Sequence, residues 1–254
     1  MTTNALDVFN EYSEYYDLFY DAKDYSSESQ YFIKILKSLQ PNSSNILELG
    51  SGSGNYASFF SRAGYKVTGI ELSESMIARA NAKSIPNFSS IKGNIASFNL
   101  HKKFDAAVSL FDVMSYLTKN EDIISCLKSV NEHLNKGGIF VFDSWHTAGV
   151  YTTPPAVNVK YAENDRAHIT RIARPEMDYV NNTVLVNYDF IIKNKANNTQ
   201  SVLTELHLMR HFSKPEIEFF ANSAGFNLIK FEEPQTGNTL TKQSWKGCYT
   251  LEKI

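Results

Sequence analysis

The stretch Asn45–Leu49 runs straight into Gly50-Ser51-Gly52-Ser53-Gly54, and helical spacing then carries on to Ala63 with Gly64 behind it. Nothing else in the chain constrains its fold as tightly. Glycines alternating with serines between a strand and a helix mark a sharp turn, and they let backbone N–H groups come close to a ligand. Such a turn belongs to a βαβ unit, so it predicts a parallel sheet with right-handed crossovers. The flanking sequence repeats the alternation. A helix is expected over Ser29–Leu39, with Phe32, Ile33, Ile35, Leu36 and Leu39 at helical spacing and Pro41 ending it. Beyond the glycines, strands are expected at Tyr65–Glu71, Phe88–Lys92, Phe104–Phe111 and Ile139–Asp143, with helices at Ser75–Ala82 and Glu121–Leu134.

The pattern changes after Trp145. His168–Ala173, Thr183–Ile192 and Ser201–His211 are β-branched or alternating, and Asn181-Asn182 and Asn194–Asn198 form turn clusters between them. An antiparallel meander is expected there. Helical spacing returns at Lys214–Ala224, closed by Gly225, before strands near Phe226–Glu232 and Lys246–Leu251. One nucleotide-binding unit needs roughly 150 residues, so a chain of 254 carries a surplus. The expected layout is a single domain over 1–254. It comprises an N-terminal lid (1–40), a cofactor-binding core (41–146), an antiparallel substrate sheet (147–212) and a closing helix and strands of the core (213–254).

Several function classes fall away. The 25 Lys and Arg are matched by 27 Asp and Glu, a net charge of −2, so no positive field for a phosphate backbone arises and nucleic acid is not expected as a partner. Cys126 and Cys248 cannot build a disulfide framework or a four-thiolate site. His207 and His211 share a strand face but stand too far apart for easy shared ligation, so no metal is expected. No apolar run reaches the ~20 residues of a membrane span, and the acidic, aromatic start lacks the basic and apolar regions of a signal peptide. The expectation is a cytoplasmic protein with no membrane partner.

Gly-x-Gly-x-Gly gains meaning from its surroundings. Glu48 precedes the first glycine by two residues, and Glu71 ends the next strand, where a carboxylate can hold ribose hydroxyls. Position 55 is Asn where a dinucleotide fingerprint carries its third glycine, which disfavours a nicotinamide cofactor. Ile46-Leu47-Glu48-Leu49-Gly50-Ser51-Gly52-Ser53-Gly54-Asn55 resembles the first motif of class I S-adenosylmethionine-dependent methyltransferases. Gly69-Ile70-Glu71-Leu72-Ser73-Glu74-Ser75-Met76 resembles their second block and Lys92-Gly93-Asn94-Ile95 their third. Phe104–Phe111 and Leu134–Phe142 resemble the fourth and fifth. The third block usually carries Asp where this chain has Asn94.

That resemblance implies an α/β fold with a Rossmann-like methyltransferase sheet and helices on both faces, an N-terminal helical lid and a C-terminal antiparallel β-sheet insertion. It implies S-adenosyl-L-methionine as cofactor, with the backbone around Gly50, Ser51, Gly52 and Gly54 on the methionyl portion and Glu71 on the ribose. Met76, Asn94 and Ile95 would meet the adenine, with Leu72 and Leu110 lining the same site.

The start of the chain carries a second resemblance. Tyr15-Tyr16-Asp17-Leu18-Phe19-Tyr20 followed by Lys23-Asp24-Tyr25 is similar to the lid of nucleotide-sugar N-methyltransferases that act on amino sugars. It implies that Tyr16 and Tyr25 close over the methionyl end and that Lys23 pairs with the methionine carboxylate. Members of that family often carry His where this chain has Tyr116, so no His base is carried over. Methyl transfer is an in-line displacement in which an amine needs a base less than an alcohol does. Tyr16 and Tyr116 are the catalytic candidates, and Asp112 could hold a substrate amine. Trp145, Arg171 and His207 are candidates for the substrate wall. Arg166, Arg171 and Arg174 either hold a pyrophosphate or lie on a solvated strand face.

The Asp/Asn-Pro-Pro-Tyr/Phe element of nucleobase amine methylation is missing, and Cys126 falls inside a helix, away from any nucleophile role. The expected activity is N-methylation of an amino group on a nucleotide-linked sugar, a small-molecule substrate. A methyltransferase for a smaller amine, amino acid or hydroxy acid, a nicotinamide oxidoreductase and a catalytically silent S-adenosylmethionine-binding protein remain rivals. A homodimer is left open.

Overall fold

Apolar residues fill both faces of the central strands, as a sheet covered by helices on each side requires. The computed structural model describes residues 13–20 and 23–254, with the side chains of Ser13, Glu14 and Tyr16 outside the description. Two helices come first, α1 (Ser13–Tyr20) and α2 (Tyr25–Leu39). The alternating part follows with β1 (Asn45–Leu49), α3 (Asn55–Arg62), β2 (Lys66–Glu71), α4 (Glu74–Ala82), β3 (Phe88–Lys92), β4 (Phe104–Ser109), α5 (Asn120–His133) and β5 (Leu134–Trp145). A short α6 (Thr147–Thr152) leads into β6 (Asn158–Glu163), β7 (Ala167–Asp178), β8 (Thr183–Asn194) and β9 (Gln200–Arg210). Helix α7 (Lys214–Ser223), β10 (Phe226–Glu232) and β11 (Lys246–Lys253) close the chain.

The large sheet has the order β10-β11-β5-β4-β1-β2-β3. Strands β1 to β5 are mutually parallel, and β11 and β10 run antiparallel at one edge. In β1, Leu47 and Leu49 face a core shared with α5 and α7, through Leu127, Val130, Phe220 and Ala221. Ile46 faces the opposite layer, where Phe32 and Leu36 of α2 meet Phe60 of α3. The Rossmann-like methyltransferase sheet with helices on both faces is therefore the architecture of the core.

The second sheet, in the order β6-β7-β8-β9, is antiparallel throughout. Its inner face buries Ala167, Ile169, Arg171 and Ala173 of β7 against Val184, Val186 and Phe190 of β8, while His168 and Arg174 stay exposed. Phe19 of α1 packs on Ala167, Ile169 and Phe190, which ties the N-terminal segment to this sheet. Tyr12 and the other residues of 1–12, with 21 and 22, lie outside the described residues.

Several boundaries differ from expectation; β7, for one, runs on to Asp178, and three others have a local cause. Helix α2 starts at Tyr25 because the Asp24 carboxylate accepts the Ser27 N–H at 2.9 Å and caps it. Strand β4 stops at Ser109, since Phe111 and Asp112 adopt φ of +67° and +63° before a 3₁₀ turn at Val113–Tyr116. Strand β5 begins at Leu134, straight from α5, so the Gly137-Gly138 pair lies inside it. Among the described residues, no helix is long and apolar enough to cross a membrane.

Candidate active site

The chain leaves β1 for β2 and β3 on one side and takes up β4 and β5 on the other, which opens a crevice at the strand C-termini. Gly50 and Gly52 sit there at φ of +65° and +53°. Their turn is held by Gly50 and Ser51 N–H groups donating to the Ile70 carbonyl at 2.8 and 3.1 Å. A Cβ at Gly50 would stand 2.5 Å from Val113, so the loop folds directly against the 113–116 turn. A Cβ at Gly52 would meet nothing within 4 Å. The open space over Gly52 belongs to a cavity of about 400 Å³.

Glu71 joins the loop to the next strand. One carboxylate oxygen accepts the Gly52 N–H at 2.8 Å and the other accepts the Ser73 N–H at 2.9 Å. Burial raises its pKa, and the amides of Ser73, Gly52 and Leu72 oppose that rise. Beneath it Glu48 is 2% exposed, and burial, then the Glu71 charge, push its carboxyl up to about 8. Glu48 Oε2 and Ser51 Oγ are buried with no hydrogen-bond partner among the described residues. Open polar atoms beside an open glycine backbone are what a polar ligand completes. An aminoacyl nucleoside such as S-adenosylmethionine fits this donor and acceptor set. Apolar walls continue the cavity past Glu71, through Leu72, Met76, Ile95 and Leu110. Asn94 also lines it, and its Oδ1 accepts the Ala96 N–H at 2.9 Å, so the amide shapes its own turn.

The other end of the cavity is polar and comes from two sheets. Tyr116, from the turn after β4, has its hydroxyl 2.7 Å from His207 Nδ1 on β9. His207 Nε2 is 3.0 Å from Glu205 Oε2, and both His207 and Glu205 are buried. Tyr188 of β8 lines the cavity and meets the His207 ring edge-on at 4.8 Å between centroids. The Arg171 guanidinium sits 5.2 Å from the Tyr188 ring centre and donates to the Tyr20 hydroxyl at 3.2 Å. Tyr20 in turn packs edge-on against Phe111 at 5.1 Å. The lid helix and the antiparallel sheet thus meet over the crevice.

Behind Phe111 lies a charged clamp. Lys246 Nζ is 2.7 Å from Asp112 and 3.7 Å from Asp143, and Asp112 N–H donates to Asp143 at 3.0 Å. Burial alone would lower the Lys246 pKa, but the two carboxylates hold it above its ordinary value. Burial pushes Asp143 up to about 6 against the opposing pull of Lys246. Two consecutive residues at positive φ are uncommon without glycine, and these bonds hold that turn in place. It aims Phe111, Val113 and Tyr116 at the cavity.

Most of the residues expected from sequence meet here. Gly50, Ser51, Gly52, Glu71, Leu72, Met76, Asn94, Ile95, Leu110, Tyr25, Tyr116 and His207 line one cavity. Others stand elsewhere. Gly54 faces a neighbouring hollow beside Lys83 and Arg62. Lys23 pairs with Glu28 and lies over the Phe111 ring at 4.5 Å, so its charge is already engaged. Asp112 is taken by Lys246 and is not presented to a substrate amine. Trp145 packs edge-on against Trp245 at 5.1 Å, in an apolar cluster with Val150 and Ala173. Arg174 pairs with Asp189 on the outer face, and Arg166 is exposed, so neither joins Arg171.

The Tyr16 side chain lies outside the described residues. His211 bonds Thr147 Oγ1 at 3.0 Å, and burial pushes it down to about 4. Among the described residues, no group of three His, Cys, Asp or Glu could hold a metal. Glu205 and Tyr188 were given no role from sequence. Glu205 stands two residues before His207, and that period of two on a strand is the signal that places them on one face.

Comparison with known proteins agrees with this geometry. Residues 46–138 match the methyltransferase domain family. The chain is 26% identical over 232 residues to a dTDP-3-amino-3,4,6-trideoxy-alpha-D-glucopyranose N,N-dimethyltransferase from Streptomyces venezuelae, covering 91% of this chain and 96% of that one. It is 33% identical over 145 residues to an uncharacterised methyltransferase from Bacillus mycoides, covering 56% and 68% of the two chains. Among solved structures, an S-adenosylmethionine-dependent methyltransferase from Clostridium acetobutylicum superposes with a TM-score of 0.81 at 19% identity, over 96% of this chain and 98% of that one. With the glycine cradle, Glu71 and the cavity already in place, the chain belongs to the S-adenosylmethionine-dependent methyltransferases.

Proposed function

We propose that this enzyme methylates the amino group of a nucleotide-linked sugar. The observation that carries the reading is a single cavity with the glycine loop and Glu71 at one end and the Tyr116–His207 pair at the other. The likeness to the Streptomyces venezuelae N,N-dimethyltransferase, which covers 91% of this chain, supports the acceptor class.

S-adenosylmethionine supplies an electrophilic methyl group on a sulfonium. Gly50, Ser51 and Gly52 offer backbone to its methionyl portion, and Glu71 offers its carboxylate to the ribose hydroxyls. Met76, Ile95, Leu72 and Leu110 enclose the base, with Asn94 at its edge. Tyr20 and Tyr25 close the near side, with Tyr16 assigned to the same lid. Tyr116 and His207 face the acceptor nitrogen. Arg171, expected from sequence at the substrate wall, is buried behind Tyr20 and Tyr188 and does not line the cavity; its guanidinium holds those two rings in place. The two sheets exclude water around the acceptor. A soluble donor and acceptor make the cytoplasm the compartment in this reading.

The test is a panel assay with labelled methyl donor. Nucleotide-linked amino sugars are compared with the matching free amino sugars, free amines and hydroxy acids. Label is expected in the nucleotide-linked compounds. Label only in free amines or acids would overturn the reading.

A further inference from the structure

We propose that Glu205, His207 and Tyr116 form a proton relay that deprotonates the ammonium group of the acceptor. The proposal rests on the amine-acceptor reading above and adds the residues that make the amine reactive. It follows from which atoms can donate. A carboxylate only accepts, so the 3.0 Å contact between Glu205 Oε2 and His207 Nε2 requires Nε2 to carry a proton. In the neutral ring Nδ1 is then a bare acceptor, and the Tyr116 hydroxyl donates to it at 2.7 Å. A phenol oxygen has two lone pairs with which it can accept, and Tyr116 and His207 both line the cavity that would hold the acceptor.

The step balances. The acceptor R–NH3⁺ gives one proton to the Tyr116 oxygen as the phenol proton passes to His207 Nδ1. An imidazolium results beside the Glu205 carboxylate, and the acceptor is left as R–NH2 with its lone pair free. Methyl transfer returns one positive charge to nitrogen, and the imidazolium proton leaves to solvent between turnovers. Glu205 is a positioning residue: it selects the tautomer and stabilises the imidazolium. The three come from two sheets, since Tyr116 follows β4 and the other two stand on β9. The relay therefore assembles only where the antiparallel sheet closes on the core.

Other charged groups face this pair among the described residues. Arg171 reaches it from β7 through the Tyr188 ring, and Lys119 and Asp122, at the start of α5, line the same cavity. Glu71 lines it from the end of β2.

The experiment measures kcat/KM for the acceptor against pH in the wild type, Glu205→Gln and Tyr116→Phe. Near pH 7 both variants are expected to fall by about 10- to 100-fold, the lower part of general acid–base effects, because neutral amine from solution bypasses the relay. Their rates should then climb about tenfold per pH unit towards the amine's own pKa, closing the gap to the wild type. A purely structural defect would leave a constant ratio, and parallel pH profiles overturn the proposal. The double variant should be no slower than the slower single one, as members of one unit are not additive. Calorimetry of S-adenosylmethionine with Glu205→Gln should give wild-type affinity, since Glu205 lies away from the cofactor end.

A second readout needs no acceptor. In ¹⁵N-histidine spectra of the wild type, neutral His207 is expected to carry its proton on Nε2. A proton on Nδ1 overturns the relay. If no nucleotide-linked amino sugar is methylated but another amine is, with the Nε2 tautomer and the expected divergence of the pH profiles, the acceptor reading fails and the relay stands; without that divergence the relay fails too.

Discussion

Replacing Glu48 by Gln keeps the side chain's shape and removes a buried ionisable group at the end of β1. Burial and the Glu71 charge push this carboxyl from an ordinary 4.5 up to about 8. Between those values the folded protein holds a proton that the unfolded chain has released. The unfolded state therefore binds fewer protons, and stability falls as pH rises from about 4.5 to about 8. A displacement of about 3.5 pH units, at about 1.4 kcal/mol each, comes to about 5 kcal/mol. Glu71 is raised by the same burial and takes up part of the proton binding, so ~2–5 kcal/mol is the expected span. The amide in the Glu48→Gln variant does not titrate and has no such dependence.

The assay is thermal unfolding followed by circular dichroism, without methyl donor, at pH 5 and pH 8.5. Each kcal/mol moves Tm by roughly 2–4 °C in a chain of this size. The variant should melt close to the wild type at pH 5 and roughly 5–15 °C above it at pH 8.5. A difference in Tm that does not change with pH refutes the reasoning.

Two further substitutions probe the cradle. Glu71→Ala removes the acceptor of two backbone N–H groups and, in the proposed binding mode, of the ribose hydroxyls. Hydrogen bonds to a charged group contribute about 1.5–3 kcal/mol each, so calorimetric affinity for S-adenosylmethionine should fall at least ~10- to 100-fold. Unchanged affinity removes Glu71 from that role. Gly52→Ala places a methyl in the open cavity at a φ of +53°. Left-handed backbone costs an L-residue about 1–2 kcal/mol, so Tm should drop only a few degrees, while cofactor affinity should fall far more. Loss of stability without loss of affinity would show that the methyl does not face the cofactor.

The alternating core was legible because its signals are local. Each strand and helix announces itself within about ten residues, and the glycine loop reports its own turn. Glu71, Met76 and Asn94 were read from the resemblance of the blocks that carry them, and they line one cavity. Signals that join distant parts of the chain were not legible. Tyr116 and His207 lie 91 positions apart, and no local period links a turn after β4 to a strand of another sheet. Lys246 reaches Asp112 across the antiparallel edge, so Asp112 read from sequence as an open carboxylate when its charge is already matched. Lys23 was misplaced for a similar reason, since Glu28 one helical turn into α2 takes its ammonium. Trp145 sits at the end of β5, beside the crevice in sequence, yet the bend into α6 turns it towards Trp245.

The most direct test of the account follows the methyl group itself. S-adenosylmethionine carrying ¹³C in its methyl is incubated with the enzyme and a dTDP-linked amino sugar, and the product is mapped by NMR. The account predicts label on the sugar's amino nitrogen with the nucleotide still attached. Label on a hydroxyl oxygen, or transfer only to the sugar freed of its nucleotide, would contradict it.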